Sequence, residues 1–216
     1  MELAGTYQYD ESLAEQIAEA LNKSYSDKAS MHAYHTVYAH IFKDMNVENF
    51  LEIGLFLNDL QHTDLTAWEE IFPSANLYGA DMKINQLFDR GSIQMSYVDQ
   101  NNIESLNTLL EKFSVEFDVI LDDASHMYGS TICTFEQLFP ALRTGGVYLI
   151  EDCQADHPDV NGWQQTVPAL SEYFESNGYI FKVFQARPTE KLVDPETNEP
   201  TEVDACSDDY IFCIYK

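Results

Sequence analysis

Hydrophobic positions recur along the chain with two different periods. In residues 12–23 the apolar Leu13, Ile17, Ala20 and Leu21 fall at helical spacing, and in residues 35–45 Val37, Tyr38, Ile41 and Phe42 do the same. The first 50 residues therefore read as helical. Beyond them come short apolar runs at 49–54 (NFLEIG), 76–81 (NLYGAD), 93–99 (IQMSYVD), 117–122 (FDVILD) and 146–151 (GVYLIE). Each closes on an acid or a turn residue and reads as a buried strand. Residues 65–72, 103–113 and 131–142 between them have helical period.

Strands alternating with helices of this length imply βαβ units, hence an α/β fold with a mainly parallel sheet and helices on both faces. Residues 178–185 and 209–215 form two further strands with no helix between them, which suits an antiparallel hairpin at the end of the chain. The seven strands make one sheet. The connecting stretch 187–208, with three prolines and many charges, reads as a long loop. The expected organisation is a single domain over 1–216, with a helical segment at 1–48 and a Rossmann-like core at 49–216.

At 216 residues with 45% hydrophobic positions, the chain is long enough for one core and too short for two. Charge changes the picture more. Eleven basic residues against 37 acidic ones leave a formal net charge of −26, a surface that repels phosphate backbones and anionic lipid. Nucleic acid and membranes are set aside as partners; cations and uncharged molecules such as glycans are not. No run approaches the roughly 20 apolar residues of a membrane span, and the first residues lack the layout of a signal peptide. Cys133, Cys153, Cys206 and Cys213 form no CxxC pair, so free thiols and a cytoplasmic location are expected.

In open parallel sheets ligands bind outside the carboxyl ends of the strands. Acids crowd that end here: Asp81, Asp99, Asp122 with Asp123, and Glu151 with Asp152, while the first strand carries Glu52 and ends at Gly54. An acid at the end of the second strand suits a ribose diol. With Glu52-x-Gly54, Asp81 and Asp99 in this order, the sequence resembles class I S-adenosylmethionine-dependent methyltransferases over nearly its whole length. Within them it is most similar to metal-dependent sugar O-methyltransferases of the mycinamicin and macrocin type. The motifs that carry this likeness are Ser26-Asp27-Lys28 with His32 and Tyr34, Asp122-Asp123-Ala124-Ser125-His126, and the pair Glu151-Asp152.

The resemblance implies that Glu52, Gly54, Asn58, Asp81, Asp99 and Asp122 bind S-adenosylmethionine, with Lys28, His32 and Tyr34 at the cofactor or substrate mouth. It implies that Asp123, Glu151 and Asp152 bind Mg²⁺ or Mn²⁺ and that His126 is the general base, so Asp123 and His126 carry the catalysis. Hard divalent ions take carboxylate oxygens, and a sugar hydroxyl needs help to lose its proton. The implied acceptor is a sugar or glycoside, and a homo-oligomer is compatible with the likeness. Phe56 and Asn58 stand where many methyltransferases have glycine; Asn tolerates the left-handed backbone of a tight turn.

Several residues have plainer readings. His35 and His40 decorate a helix; Asp156, His157 and Trp163 sit on a loop beyond the acid pair; Cys153 is a small filler without a partner. Two rival functions stay open: methylation of a small phenolic or natural-product acceptor by the same fold, or a binding protein that has lost catalysis. The absence of a full GxGxxG fingerprint speaks against a dinucleotide-dependent dehydrogenase.

Overall fold

Asp10 starts the first helix by accepting the Leu13 N–H at 3.0 Å, and the four residues that helix buries, Ala14, Ile17, Ala20 and Leu21, lie along one stripe. A computed structural model describes residues 1–2, 6–55, 63–82, 90–155, 165–187, 190–193, 200–203 and 209–216. Its elements run α1 (Glu11–Lys23), α2 (Asp27–Ser30), α3 (His35–Phe42), β1 (Asn49–Ile53), α4 (Asp64–Ile71), β2 (Asn76–Asp81), β3 (Ile93–Tyr97), α5 (Ile103–Phe113), β4 (Phe117–Asp122) and α6 (Tyr128–Leu138). A 3₁₀ turn at Phe139–Ala141 leads into β5 (Leu142–Cys153), followed by α7 (Val167–Ser176), β6 (Ile180–Gln185), β7 (Glu190–Val193), β8 (Pro200–Val203) and β9 (Tyr210–Tyr215).

The seven-stranded sheet has the order β3-β2-β1-β4-β5-β9-β6. β1 to β5 pair in parallel, and β9 runs antiparallel between β5 and β6. The expected mainly parallel sheet with a closing antiparallel pair is what forms. The chain reverses strand order at β1 and β4, the point where open α/β sheets gather ligands.

Alternation along the strands divides the core between two faces. Phe50, Val119, Leu121, Val147 and Leu149 pack with the helical residues Ile17, Leu21, Tyr38 and Trp68. Leu51, Ile53, Ile120, Tyr148 and Ile150 pack with Leu106, Phe135, Leu138 and Phe174 on the other side. Helices α1, α3 and α4 therefore cover one face, and α5, α6 and α7 the other.

The structure corrects several boundaries. Residues 187–208 are not simply a loop: β7 and β8 form a separate antiparallel ribbon with Val193 opposite Pro200. Proline at the first position of a strand gives up no ladder bond that the ribbon needs, so the prolines did not forbid pairing. The third core helix begins at Tyr128 and ends at Leu138, because Pro140 cannot continue it, and β5 is correspondingly longer than its apolar centre. The four-residue α2 is too short for a periodic signal, and α7 is an addition to the expected elements, its Val167, Leu170 and Phe174 standing at helical spacing. Cys133, Cys153 and Cys213 are free thiols; Cys206 lies outside the described residues. Among the described residues no helix is long and apolar enough to cross a membrane.

Candidate active site

The pleat decides which acids can meet. Glu52 lies on the same side of the sheet as Phe50 and accepts the Trp68 Nε1–H at 3.0 Å. Glu151 follows Val147 and Leu149 on that side. Asp122 follows Ile120 on the opposite side, where its two oxygens accept from Gln100 Nε2 at 2.8 Å and the Tyr148 hydroxyl at 3.1 Å. Asp123, one residue on, turns back towards Glu52 and Glu151.

Into this gathering of acids α2 inserts Lys28, only 1% exposed. Its Nζ donates to Asp123 Oδ2 and Glu151 Oε2 and lies 3.6 Å from both Glu52 Oε1 and Asp64 Oδ2. Burial works against the lysine charge, but the four carboxylates outweigh it and hold the pKa well above its ordinary value. The acids are pushed the other way. Burial raises Glu151 to about 7 against the pull of Lys28. Burial, with Asp152 adding to it, raises Asp123 to about 6 although Lys28 opposes the shift. One buried cation cannot satisfy three buried carboxylates and the part-buried Asp123, and Glu151 Oε1 and Glu52 Oε1 have no hydrogen-bond partner.

Asp152 closes the cluster from the end of β5, in a left-handed conformation with φ 52°. The Tyr34 hydroxyl donates to its Oδ1 at 2.6 Å and accepts its backbone N–H at 3.2 Å. His32 stacks on Tyr34 with ring centroids 5.0 Å apart, and its Nδ1 lies 2.8 Å from Asp209 Oδ1. Burial opposes protonation of His32, yet the bond to Asp209 and the charge of Asp152 raise its pKa to about 9. His126, also left-handed with φ 53°, places Nε2 at 3.4 Å from Asp152 Oδ2 and 3.8 Å from Asp123 Oδ1. Gln165 lies behind it, with Nε2 at 3.4 Å from His126 Nδ1 and donating to the Glu151 carbonyl. Asp123, His126 and Asp152 offer ligand atoms within 4.8 Å of one another.

A cavity of about 340 Å³ opens beside this trio, within the range of small-ligand sites. Its floor is Ile53, Gly54 and Leu55; Ala80, Asp81, Met82, Val98 and Gln100 form one wall, and Asp123, Ser125, His126 and Asp152 another. Asp27 reaches it from α2. Gly54 has φ 85°, and a Cβ there would lie 2.1 Å from the Asp123 carbonyl oxygen. Only glycine lets the ends of β1 and β4 approach this closely. Asp81 Oδ2 accepts the Leu55 N–H at 2.9 Å, which ties the loop after β1 to the second strand.

Of the residues expected to touch the cofactor, Gly54 and Asp81 line the cavity, and Asn58 lies outside the described residues, as do Phe56, Asp156, His157 and Trp163. The others are placed differently. Glu52 is sealed beneath Trp68 by the pleat; Asp122 faces the other side of the sheet. Asp99 Oδ1 accepts the Asn101 N–H, and its neighbours Val98 and Gln100 take the wall instead. Lys28, His32 and Tyr34 do not form the mouth but grip the carboxylates from behind. Of the three acids expected at the metal, Asp123 and Asp152 face the cavity, whereas Glu151 is buried behind them against Lys28.

Sequence reasoning overlooked Asp64, Gln100, Gln165 and Asp209. Asp64 follows Thr63 at the start of α4, where acids are common for local reasons, so its longer-range role gave no signal. Gln100 directly follows Asp99 and could have been found by asking which neighbour the pleat turns inward.

No family model matches the chain. Two solved structures described as MycE methyltransferase from the mycinamycin biosynthetic pathway superpose on it. One, in complex with Mg and SAH, has a TM-score of 0.65 at 23% identity and covers 93% of this chain and 54% of its own. The other, with Mg, SAH and mycinamycin VI, has a TM-score of 0.60 at 27% identity over 74% of this chain and 47% of its own. The chain has the methyltransferase fold. Among curated proteins it is similar to mycinamicin VI 2''-O-methyltransferase of Micromonospora griseorubida, 28% identical over 127 residues, which are 56% of this chain and 32% of that protein. It is 30% identical over 133 residues to a rhamnosyl-tetracenomycin 3'-O-methyltransferase of Streptomyces olivaceus, 59% of this chain and 34% of that protein. The methyltransferase-fold chain thus matches about a third of the length of these relatives.

Proposed function

We propose that the protein is an S-adenosylmethionine- and divalent-metal-dependent O-methyltransferase acting on a sugar hydroxyl of a glycan or glycosylated metabolite. The observation that carries this reading is the convergence of Asp123, His126 and Asp152 on the same cavity that Gly54 and Asp81 open at the strand ends. The similarity to enzymes named as methylating sugars of glycosylated natural products supports the acceptor class.

The donor set fits a hard divalent ion. Asp123 and Asp152 present carboxylate oxygens at the cavity wall, as Mg²⁺ or Mn²⁺ prefers, with His126 beside them, while Glu151 stands behind against Lys28. When bound, such an ion would acidify and orient the hydroxyls of the acceptor.

The chain's own residues do the rest. Gly54, whose missing side chain lets the ends of β1 and β4 close together, lines the cavity for the cofactor, and Asp81 on the wall beside it takes the ribose hydroxyls. His126, 37% exposed and beside both aspartates, takes the hydroxyl proton as the oxygen–methyl bond forms and the sulfur–methyl bond breaks, an effect worth roughly 10²- to 10⁴-fold. S-adenosylhomocysteine leaves as product.

Calorimetry and turnover on single variants test this. Asp152→Ala should abolish metal binding and methyl transfer to glycosides while cofactor affinity stays near wild type; Asp81→Ala should weaken the cofactor first. Methyl transfer that survives both EDTA and Asp152→Ala removes the metal from the reaction.

A further inference from the structure

Among the described residues Lys28 is the lysine buried against Glu52, Asp64, Asp123 and Glu151, and it is held firmly. The Ser26 side chain accepts its N–H at 3.3 Å, the Lys28 carbonyl accepts the Tyr34 N–H at 2.8 Å, and the side chain passes beneath the strand ends. Its ammonium engages Oδ2 of Asp123 and Oε2 of Glu151. The second oxygen of each acid is left over: Asp123 Oδ1 faces His126, and Glu151 Oε1 is buried without a partner. A second group of convergent acids, Glu52, Asp64 and Asp123, surrounds the same ammonium and so belongs to the lysine.

Given the metal reading of Asp123 and Asp152, we propose that Lys28 is a positioning residue that occupies Oδ2 of Asp123, so that this acid offers a dication at the cavity only its Oδ1. Ca²⁺ takes six to eight oxygens and favours carboxylates that bind through both, whereas Mg²⁺ is satisfied by single oxygens and water in an octahedron. A lysine that blocks the second oxygen therefore selects against the larger ion. Its positive charge also lowers affinity for any dication.

Titrations of Mg²⁺, Mn²⁺ and Ca²⁺ by calorimetry, without acceptor or turnover, test this on the full chain. Wild type should bind Mg²⁺ and Mn²⁺ and bind Ca²⁺ about tenfold more weakly or worse. Lys28→Met should tighten all three and raise the ratio of Ca²⁺ to Mg²⁺ affinity about tenfold. The double variant Lys28→Met/Glu52→Gln removes a negative charge together with the lysine; it should keep the altered ratio while losing most of the general tightening. An unchanged ratio in a folded variant, or equal Ca²⁺ and Mg²⁺ affinity in wild type, overturns the role of Lys28. The wild-type comparison holds even where a variant does not fold. Wild type that binds no dication at all sinks the metal reading itself, a different result from an unaltered ratio.

Discussion

The Tyr34 hydroxyl bonds Asp152 twice, donating to its carboxylate at 2.6 Å and accepting its backbone N–H at 3.2 Å. A residue in the segment before the sheet thereby fixes an acid at the end of β5, in a left-handed conformation that residues other than glycine seldom adopt. Tyr34→Phe removes both bonds and changes little else in shape. It should cost about 1–3 kcal/mol in urea denaturation and loosen Asp152 enough to weaken Mn²⁺ binding in a titration. Unaltered Mn²⁺ affinity would mean that Asp152 holds its position without the tyrosine.

Gly54→Ala should be far more damaging than its size suggests. Its Cβ would meet the Asp123 carbonyl oxygen at 2.1 Å and Ala124 Cα at 2.4 Å, at a φ of 85°. A loss of about 3 kcal/mol or more is expected, with cofactor binding abolished in whatever still folds. Gly129→Ala, where nothing lies within 4 Å of the added carbon, is the control and should be neutral or slightly stabilising on α6.

His32 makes stability depend on pH in a definite direction. Its folded-state pKa is raised from 6.5 to about 9, so the stabilisation is fully present below about pH 6.5 and is lost as pH rises through 9, a change of about 3 kcal/mol at most. In His32→Gln the histidine's share of this decline should be lost, leaving the smaller fall that buried acids such as Glu151, raised to about 7, contribute, as read by denaturation at about pH 6 and about pH 9. A wild-type protein more stable at the alkaline end would contradict the pairing with Asp209.

Gln100 ties the loop after β3 to the end of β4: its Nε2 donates to Asp122 Oδ1 at 2.8 Å and its Oε1 accepts the Ser125 N–H at 3.2 Å. Gln100→Leu strands a buried carboxylate and a backbone donor. It should cost about 1–3 kcal/mol and weaken S-adenosylmethionine several-fold in calorimetry while Mn²⁺ affinity is retained. Equal loss of both ligands would show that the loop supports the whole site rather than its cofactor half.

The strands were legible because burial on both faces writes itself as short runs of apolar residues, as in Phe117 to Leu121, and because each run ends on a polar residue. Helices with an apolar stripe, such as α1 and α5, were legible for a similar reason. The ribbon β7–β8 was not, since proline-rich and polar segments look alike whether or not they pair; α7 was overlooked although Val167, Leu170 and Phe174 fall at helical spacing. Among site residues, Gly54 and Asp81 could be placed from their positions at strand ends alone.

By itself the sequence determined the alternation of strands and helices, the antiparallel close of the sheet, and the presence of acids at the strand tips, because these follow from local periodicity and chain order. The tertiary structure decided what each acid does. Side chains on a strand alternate between faces, so Asp122 and Asp123 part company. Lys28 reaches Asp123 and Glu151 only because the segment before the sheet folds back across the ends of β1, β4 and β5. Such contacts join residues about a hundred positions apart, and no local pattern encodes the distance between them.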